Sequence, residues 1–153
     1  INRKELDAIA VSKGPGSYTG LRIGVSAAKG LCFALDVPLI SIPTLDVLVQ
    51  QVEQTGGYII PLLDARRMEV YAAVYNAAKK QIRETKAEIL DENSFSNYLK
   101  EGKTTFIGDG ANKFKQFPSS AAMATLAEAK YEISDTEDVA YFEPFYLKEF
   151  MLG

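Results

Sequence analysis

The order of elements in the first fifty residues constrains the fold of this chain more than any other feature. The apolar run Leu6–Ser12 predicts a buried strand, and Lys13–Thr19 follows it as a glycine-rich loop. From Thr19 to about Leu35, apolar residues recur at three- and four-residue steps, which is typical of a helix with a buried face. A short strand at Pro38–Ile42 and a second helix beginning at Thr44 complete the pattern. This strand–helix–strand–helix order predicts an α/β fold that contains parallel strands.

After Gly56–Gly57 the pattern changes to short strands of the kind found in an antiparallel meander. The predicted strands are Tyr58–Leu63, Val70–Tyr75 and Gln81–Ile89. A helix at Ser94–Lys100, a strand at Thr104–Ile107 and an alanine-rich helix at Ser119–Lys130 follow them. We therefore predict a first subdomain at residues 1–56 and a second subdomain at residues 57–153.

Charge and residue counts limit the chemistry of the chain. Its 153 residues carry a net charge of -3, no histidine and one cysteine. Without histidine the sequence cannot build a Ser-His-Asp or Cys-His nucleophile system, or a zinc site with histidine ligands. The single Cys32 allows no internal disulfide, and no apolar stretch is long enough for a bilayer, which favours a cytoplasmic protein. The negative net charge leaves no broad basic surface with which this chain could bind nucleic acid by itself.

The loop between the first strand and the first helix is the candidate ligand site. A glycine-rich turn before a helix offers free backbone N–H groups to a phosphate. The candidate residues are Gly14, Gly16, Ser17 and Thr19. The loop lacks the lysine and hydroxyl residue of a Walker motif. The alternative is that its glycines serve only the geometry of the turn.

Three segments resemble the TsaB (YeaZ) family of proteins in tRNA threonylcarbamoyladenosine biosynthesis. They are Gly14–Gly24, Leu63–Tyr71 and Glu143–Leu147, and the resemblance as a whole extends over nearly the entire chain. The resemblance implies a duplicated actin-like ATPase fold, which is ribonuclease H-like. The family opens with a strand meander and a phosphate loop that this sequence lacks, so we expect an incomplete first half-sheet. The stretch Asn112–Ser119 is also short, and Gln116 and Phe117 are expected to be joined across omitted residues.

The resemblance implies a scaffold role. The partner would be a TsaD-type catalytic subunit, whose metal-binding histidine motif this chain cannot supply. A TsaE-type ATPase would join the complex, and tRNA would be its final substrate. We predict no catalytic residue, metal or required cofactor in this chain, whereas ATP or ADP and Mg²⁺ would belong to the complex. The rival functions are a glycoprotease-like peptidase and an autonomous actin-like ATPase.

The first helix is predicted to have two apolar sides. Leu21, Val25, Ala28 and Cys32 lie on the side expected to face the protein's own sheet. Small residues on the second side would let another helix approach closely. These residues are Gly20, Ile23, Ala27, Gly30 and Ala34. The resemblance places contact with the TsaD-type subunit in this region; the alternatives are a homodimer and cover by the N-terminal part that this sequence lacks.

Asp64 is a further candidate, because it ends a predicted strand and is followed by Arg66 and Arg67. An aspartate at a strand end can hold hydrated Mg²⁺, and arginines can meet phosphate. An exposed hairpin turn with local ion pairs is the alternative.

Overall fold

A computed structural model describes residues 5–67, 69–91, 93–111 and 120–147. The strands are β1 (Ile9–Gly14), β2 (Leu39–Pro43), β3 (Tyr58–Asp64), β4 (Glu69–Asn76), β5 (Gln81–Ile89) and β6 (Thr104–Ile107). The helices are α1 (Tyr18–Leu35), α2 (Thr44–Gln50), α3 (Ser96–Glu101) and α4 (Ser120–Glu132). This mixed α/β order confirms the fold class and places each predicted element within a few residues of its observed bounds.

The chain forms two compact units. The first combines Ile1–Thr44 with Ser120–Gly153, and the second is Leu45–Ser119. This division differs from the predicted boundary at Gly56–Gly57, because α2 packs its apolar side chains into the core of the second unit. Gly57 has a φ of 81° and lies against the carbonyl of Lys103, so the glycine marks a close approach of two backbones. The predicted break near Gln116 lies outside the described residues.

In the first unit, β1 and β2 pair in parallel, with Ile9 opposite Leu39. A helix crossing between parallel strands is the expected connection, and α1 supplies it. Its N-terminus is capped by Ser17, whose Oγ accepts the Gly20 N–H at 3.3 Å. The helix ends at Asp36, which adopts the left-handed conformation with a φ of 54°.

The second unit has a four-stranded sheet in the order β5-β4-β3-β6. Strands β3, β4 and β5 form the predicted antiparallel meander, and β6 pairs in parallel with β3. Every residue from Ile59 to Leu63 is buried, because apolar clusters cover both faces of β3. The cluster on one face includes Leu45, Leu48 and Val49 of α2.

In the part of the chain that the structure describes, no helix has both the length and the apolar character needed to cross a membrane.

Candidate functional site

At Gly14, the loop before α1 packs against residues 138–147 of the same chain, which we call the C-terminal segment. Gly14 is buried and has a φ of 109°, a conformation that side chains rarely adopt. A Cβ on Gly14 would lie 2.6 Å from the carbonyl oxygen of Phe145. The Phe145 N–H donates to the carbonyl of Lys13 at 2.7 Å. Gly14 therefore needs to be glycine for the packing of this chain, whether or not a ligand is bound.

The other predicted loop residues are in a different situation. Gly16 has no positive φ, and no atom lies within 4 Å of a Cβ built on it. Ser17 uses its hydroxyl to cap α1, and Thr19 is exposed in the first turn. Gly14, Gly16, Ser17 and Thr19 are thus together at one helix end, and phosphate binding there stays a prediction.

Asp64 lies in the second unit, at the carboxyl end of β3. Its Oδ1 accepts the N–H of Arg66 at 2.8 Å, and its own N–H donates to Oδ1 of Asp109 at 2.9 Å. The carboxylates of Asp64 and Asp109 therefore each accept a hydrogen bond from a backbone N–H group at or next to the end of β3. The described residues contain no cluster of three or more metal-ligating side chains of the His, Cys, Asp and Glu types. A Mg²⁺ at Asp64 has no further support from this geometry.

One side of α1 faces the sheet of its own unit. Val25, Ala28 and Cys32 are buried, and Leu21 is half-buried. The Sγ atom of Cys32 donates to the carbonyl of Pro38 at 3.6 Å, and burial raises the pKa of the thiol. A raised pKa keeps the sulfur protonated, so Cys32 is a packing residue and a poor nucleophile.

A polar strip of α1, formed by Arg22, Ser26 and Lys29, lies between the two apolar sides, and its Lys29 contacts the C-terminal segment. The ammonium of Lys29 donates to the carbonyls of Ala140 and Phe142 at 3.1 and 3.0 Å. The rings of Tyr18 and Tyr146 stack with their centroids 4.9 Å apart. The sequence gives no signal for these contacts, because the Lys29 bonds join residues more than 110 positions apart.

The second apolar side of α1, which is the predicted interface, is exposed to solvent in the structure. It carries all five predicted interface residues, namely Gly20, Ile23, Ala27, Gly30 and Ala34. The side chain of Ile23 is 66% exposed, and that of Phe33, near the C-terminal end of the helix, is 87% exposed. Sequence reasoning overlooked Phe33, although an aromatic residue among small residues on an outer face is a recognisable signal. The described residues do not cover this side, and its role as an interface stays a prediction.

Comparison with known proteins identifies the group to which this fold and loop belong. A family model described as TsaD, tRNA N6-adenosine threonylcarbamoyltransferase, matches residues 1–145. A TsaB protein of Haemophilus influenzae, named for tRNA threonylcarbamoyladenosine biosynthesis, is 29% identical over 94% of this chain and 71% of the relative. The TsaB protein of Bacillus subtilis is 46% identical over 47% of this chain and 31% of the relative. The chain belongs to the TsaB (YeaZ) family.

Solved structures agree with the fold of the TsaB family. A crystal structure titled as an uncharacterized protein with similarity to peptidase YEAZ, from Pseudomonas aeruginosa, has a TM-score of 0.75 at 20% identity. It aligns with 97% of this chain and 76% of its own length. A second structure, YeaZ from the same organism, has a TM-score of 0.73 at 21% identity over 96% of this chain and 77% of its own. These likenesses confirm the predicted fold, as does the TsaD-type family model.

Proposed function

We propose that this chain is a non-catalytic scaffold subunit in the formation of threonylcarbamoyladenosine in tRNA, and that it binds a TsaD-type catalytic subunit. The observation that carries the proposal is the exposed small-residue side of α1, on which Ile23 is 66% exposed. The names of the TsaB relatives support the pathway.

The composition of this side suits the approach of another helix. Glycine and alanine let two helix backbones come close, so that side-chain ridges can interlock. A glycine inside a helix costs about 1 kcal/mol relative to alanine. A Cβ built on Gly20 would lie 3.3 Å from the Cβ of Ser17, whereas no atom outside the helix's own nearby backbone lies within 4 Å of a Cβ built on Gly30. A partner helix would supply the compensating contact that the described chain does not.

The chemistry of the described residues supports a scaffold over the rival peptidase. The chain has no histidine, and Cys32 is buried with a raised pKa. The hydroxyl of Ser12 is hydrogen-bonded to the hydroxyl of Thr44 at 2.6 Å. A hydroxyl is not a general base, so this contact does not activate Ser12 as a nucleophile. Catalysis would therefore take place on the TsaD-type partner, with a TsaE-type ATPase and the nucleotide and Mg²⁺ of the complex. A homodimer through the same side of α1 would compete with this pairing.

A reconstituted transfer assay on unmodified tRNA tests the proposal. We expect modified tRNA to form with the TsaD-type and TsaE-type subunits only when this chain is added. The chain alone should hydrolyse neither ATP nor peptides above background. Steady multiple-turnover hydrolysis that survives repurification, and is lost on point mutation of this chain, would show that it is an enzyme.

A further inference from the structure

The turn between β3 and β4 has a backbone conformation that its own residues disfavour. Arg66 and Arg67 have φ angles of 65° and 54°, in the left-handed region. In that region the Cβ atom crowds the following carbonyl oxygen, so glycine and asparagine are the usual occupants. Two consecutive arginines therefore work against the local structure.

Hydrogen bonds nevertheless hold the turn firmly at the end of the sheet. The Ala65 N–H donates to the Glu69 carbonyl at 2.9 Å, and the Glu69 N–H donates to the Arg66 carbonyl at 3.1 Å. The carboxylates of Asp64 and Asp109 accept the N–H groups of Arg66 and Asp64, as described above. The turn is thus a well-defined support for two arginine side chains.

The β4–β5 turn provides a comparison within the same unit. Lys79 also has a left-handed φ, of 60°, but its ammonium donates to the carbonyl of Gln50 at 3.1 Å and to the Oε1 of Gln50 at 3.3 Å. Arg66 and Arg67 are exposed, and no hydrogen bond, ion pair or ring contact joins their guanidinium groups to another described residue. The side chain of Lys79 is thus used inside the fold, whereas the side chains of Arg66 and Arg67 have no such contact with the described residues.

We propose that Arg66 and Arg67 bind phosphate groups, carried either by the backbone of tRNA or by a nucleotide. The guanidinium group is a planar fork of donors that matches phosphate oxygens and stays charged at all relevant pH values. Because the chain as a whole has a net charge of -3, a phosphate ligand needs a local pair of cations. Disfavoured backbone conformations persist where the surrounding structure fixes them, and they cluster at ligand-binding sites. The proposal does not depend on the scaffold role.

The double variant Arg66→Asn, Arg67→Asn separates binding from folding. Asparagine tolerates the left-handed region, so the midpoint of thermal unfolding should stay the same or rise. The affinity for unmodified tRNA or for ATP should fall about tenfold or more, because charge-assisted bonds to phosphate are lost. Fluorescence anisotropy at low salt measures both ligands, for the chain alone and with a TsaD-type subunit. The double variant Arg66→Lys, Arg67→Lys keeps the positive charges but loses the forked guanidinium groups. Its affinities should lie between those of the wild type and those of the double asparagine variant.

A matched control removes the same charge elsewhere. Lys80 and Lys86 are exposed on the β4–β5 turn and on β5, and the pair Lys80→Asn, Lys86→Asn should leave both affinities nearly unchanged. A loss confined to tRNA identifies the RNA backbone as the ligand, and a loss confined to ATP identifies a nucleotide. An equal loss in the lysine control, no loss in the arginine variant, a lower thermal midpoint in that variant, or no binding by the wild type would each overturn the proposal.

Discussion

The central strand of the second unit and the long helix of the first differ in how much of their surface the protein itself covers. In β3, five consecutive residues, Ile59–Leu63, are buried, because apolar side chains pack on both faces of the sheet. In α1, which has 18 residues, only Val25, Ala28 and Cys32 are buried. The cluster around Ala28 and Cys32 also contains residues of β1, of β2 and of the C-terminal segment.

This difference separates folding from association. Apolar burial contributes roughly 25 cal/mol per Å² to stability, so the covered sheet stabilises its unit strongly. The outer side of α1 contributes little to folding, although its residues are apolar or small. The proposed pairing surface on α1 thus lies where the described residues gain little folding stability, whereas β3 lies where they gain much.

The largest expected effect contrasts the two surfaces directly. Leu48→Ala removes a fully buried side chain from the cluster beneath the second sheet and should lower the free energy of unfolding by about 3 kcal/mol. Ile23→Ala, on the exposed side of α1, should change it by less than about 0.5 kcal/mol. Urea unfolding followed by circular dichroism measures both. Similar losses in the two variants would remove the contrast between the units.

A second prediction distinguishes two glycines of the loop before α1. Gly14→Ala should cost about 2 kcal/mol, because its φ is positive and its Cβ would meet the carbonyl of Phe145. Gly16→Ala should stay within about 0.5 kcal/mol, since the space around it is open. Thermal unfolding of both variants provides the measurement. A severe loss from Gly16→Ala, with Gly14→Ala tolerated, would contradict the packing of the C-terminal segment on this loop.

A third prediction concerns the buried tyrosine of the second unit. Burial, with a smaller effect of the Asp46 carboxylate that accepts its hydroxyl, raises the pKa of Tyr75. The unfolded chain releases the same proton near pH 10, so the free energy of unfolding should fall as pH rises above that value. One such group contributes a slope of up to about 1.4 kcal/mol per pH unit. Burial also raises the pKa of Tyr71, which acts in the same direction.

The test is urea unfolding of the wild type and of Tyr75→Phe at several pH values between about 9 and 11. Tyr75→Phe should make the pH dependence shallower without removing it. The control is Tyr141→Phe, which changes an exposed tyrosine of the first unit. An unchanged slope in Tyr75→Phe would mean that this hydroxyl is not protected from solvent in the folded protein.

Local patterns in the sequence predicted most of the fold. Helical spacing identified both the buried and the exposed sides of α1, because that spacing depends only on the geometry of the helix. The meander was equally accessible, since each of its strands is bounded by turn residues such as Asn76 and Gly57.

Long-range packing accounts for what the sequence did not predict. The parallel pairing of β6 with β3 and the packing of α2 beneath the second sheet join segments whose local patterns do not name their partners. The hydrogen bonds from Lys29 to the C-terminal segment also join segments whose local patterns do not indicate the contact. In the candidate site, the different roles of Gly14 and Gly16 follow from where Phe145 lies, which local patterns do not specify.

The most direct test of the account is the substitution Ala27→Arg in the exposed side of α1. A charged side chain there would block the approach of a partner helix and would lose its hydration in the interface. The control is Ala129→Arg, the same change at an exposed alanine of α4. Sedimentation of each variant with a TsaD-type subunit measures pairing, and thermal unfolding of the variant alone measures its stability. We expect Ala27→Arg to abolish pairing and to unfold like the wild type, and Ala129→Arg to pair normally; an Ala27→Arg variant that pairs normally, or that is unfolded, would contradict the account.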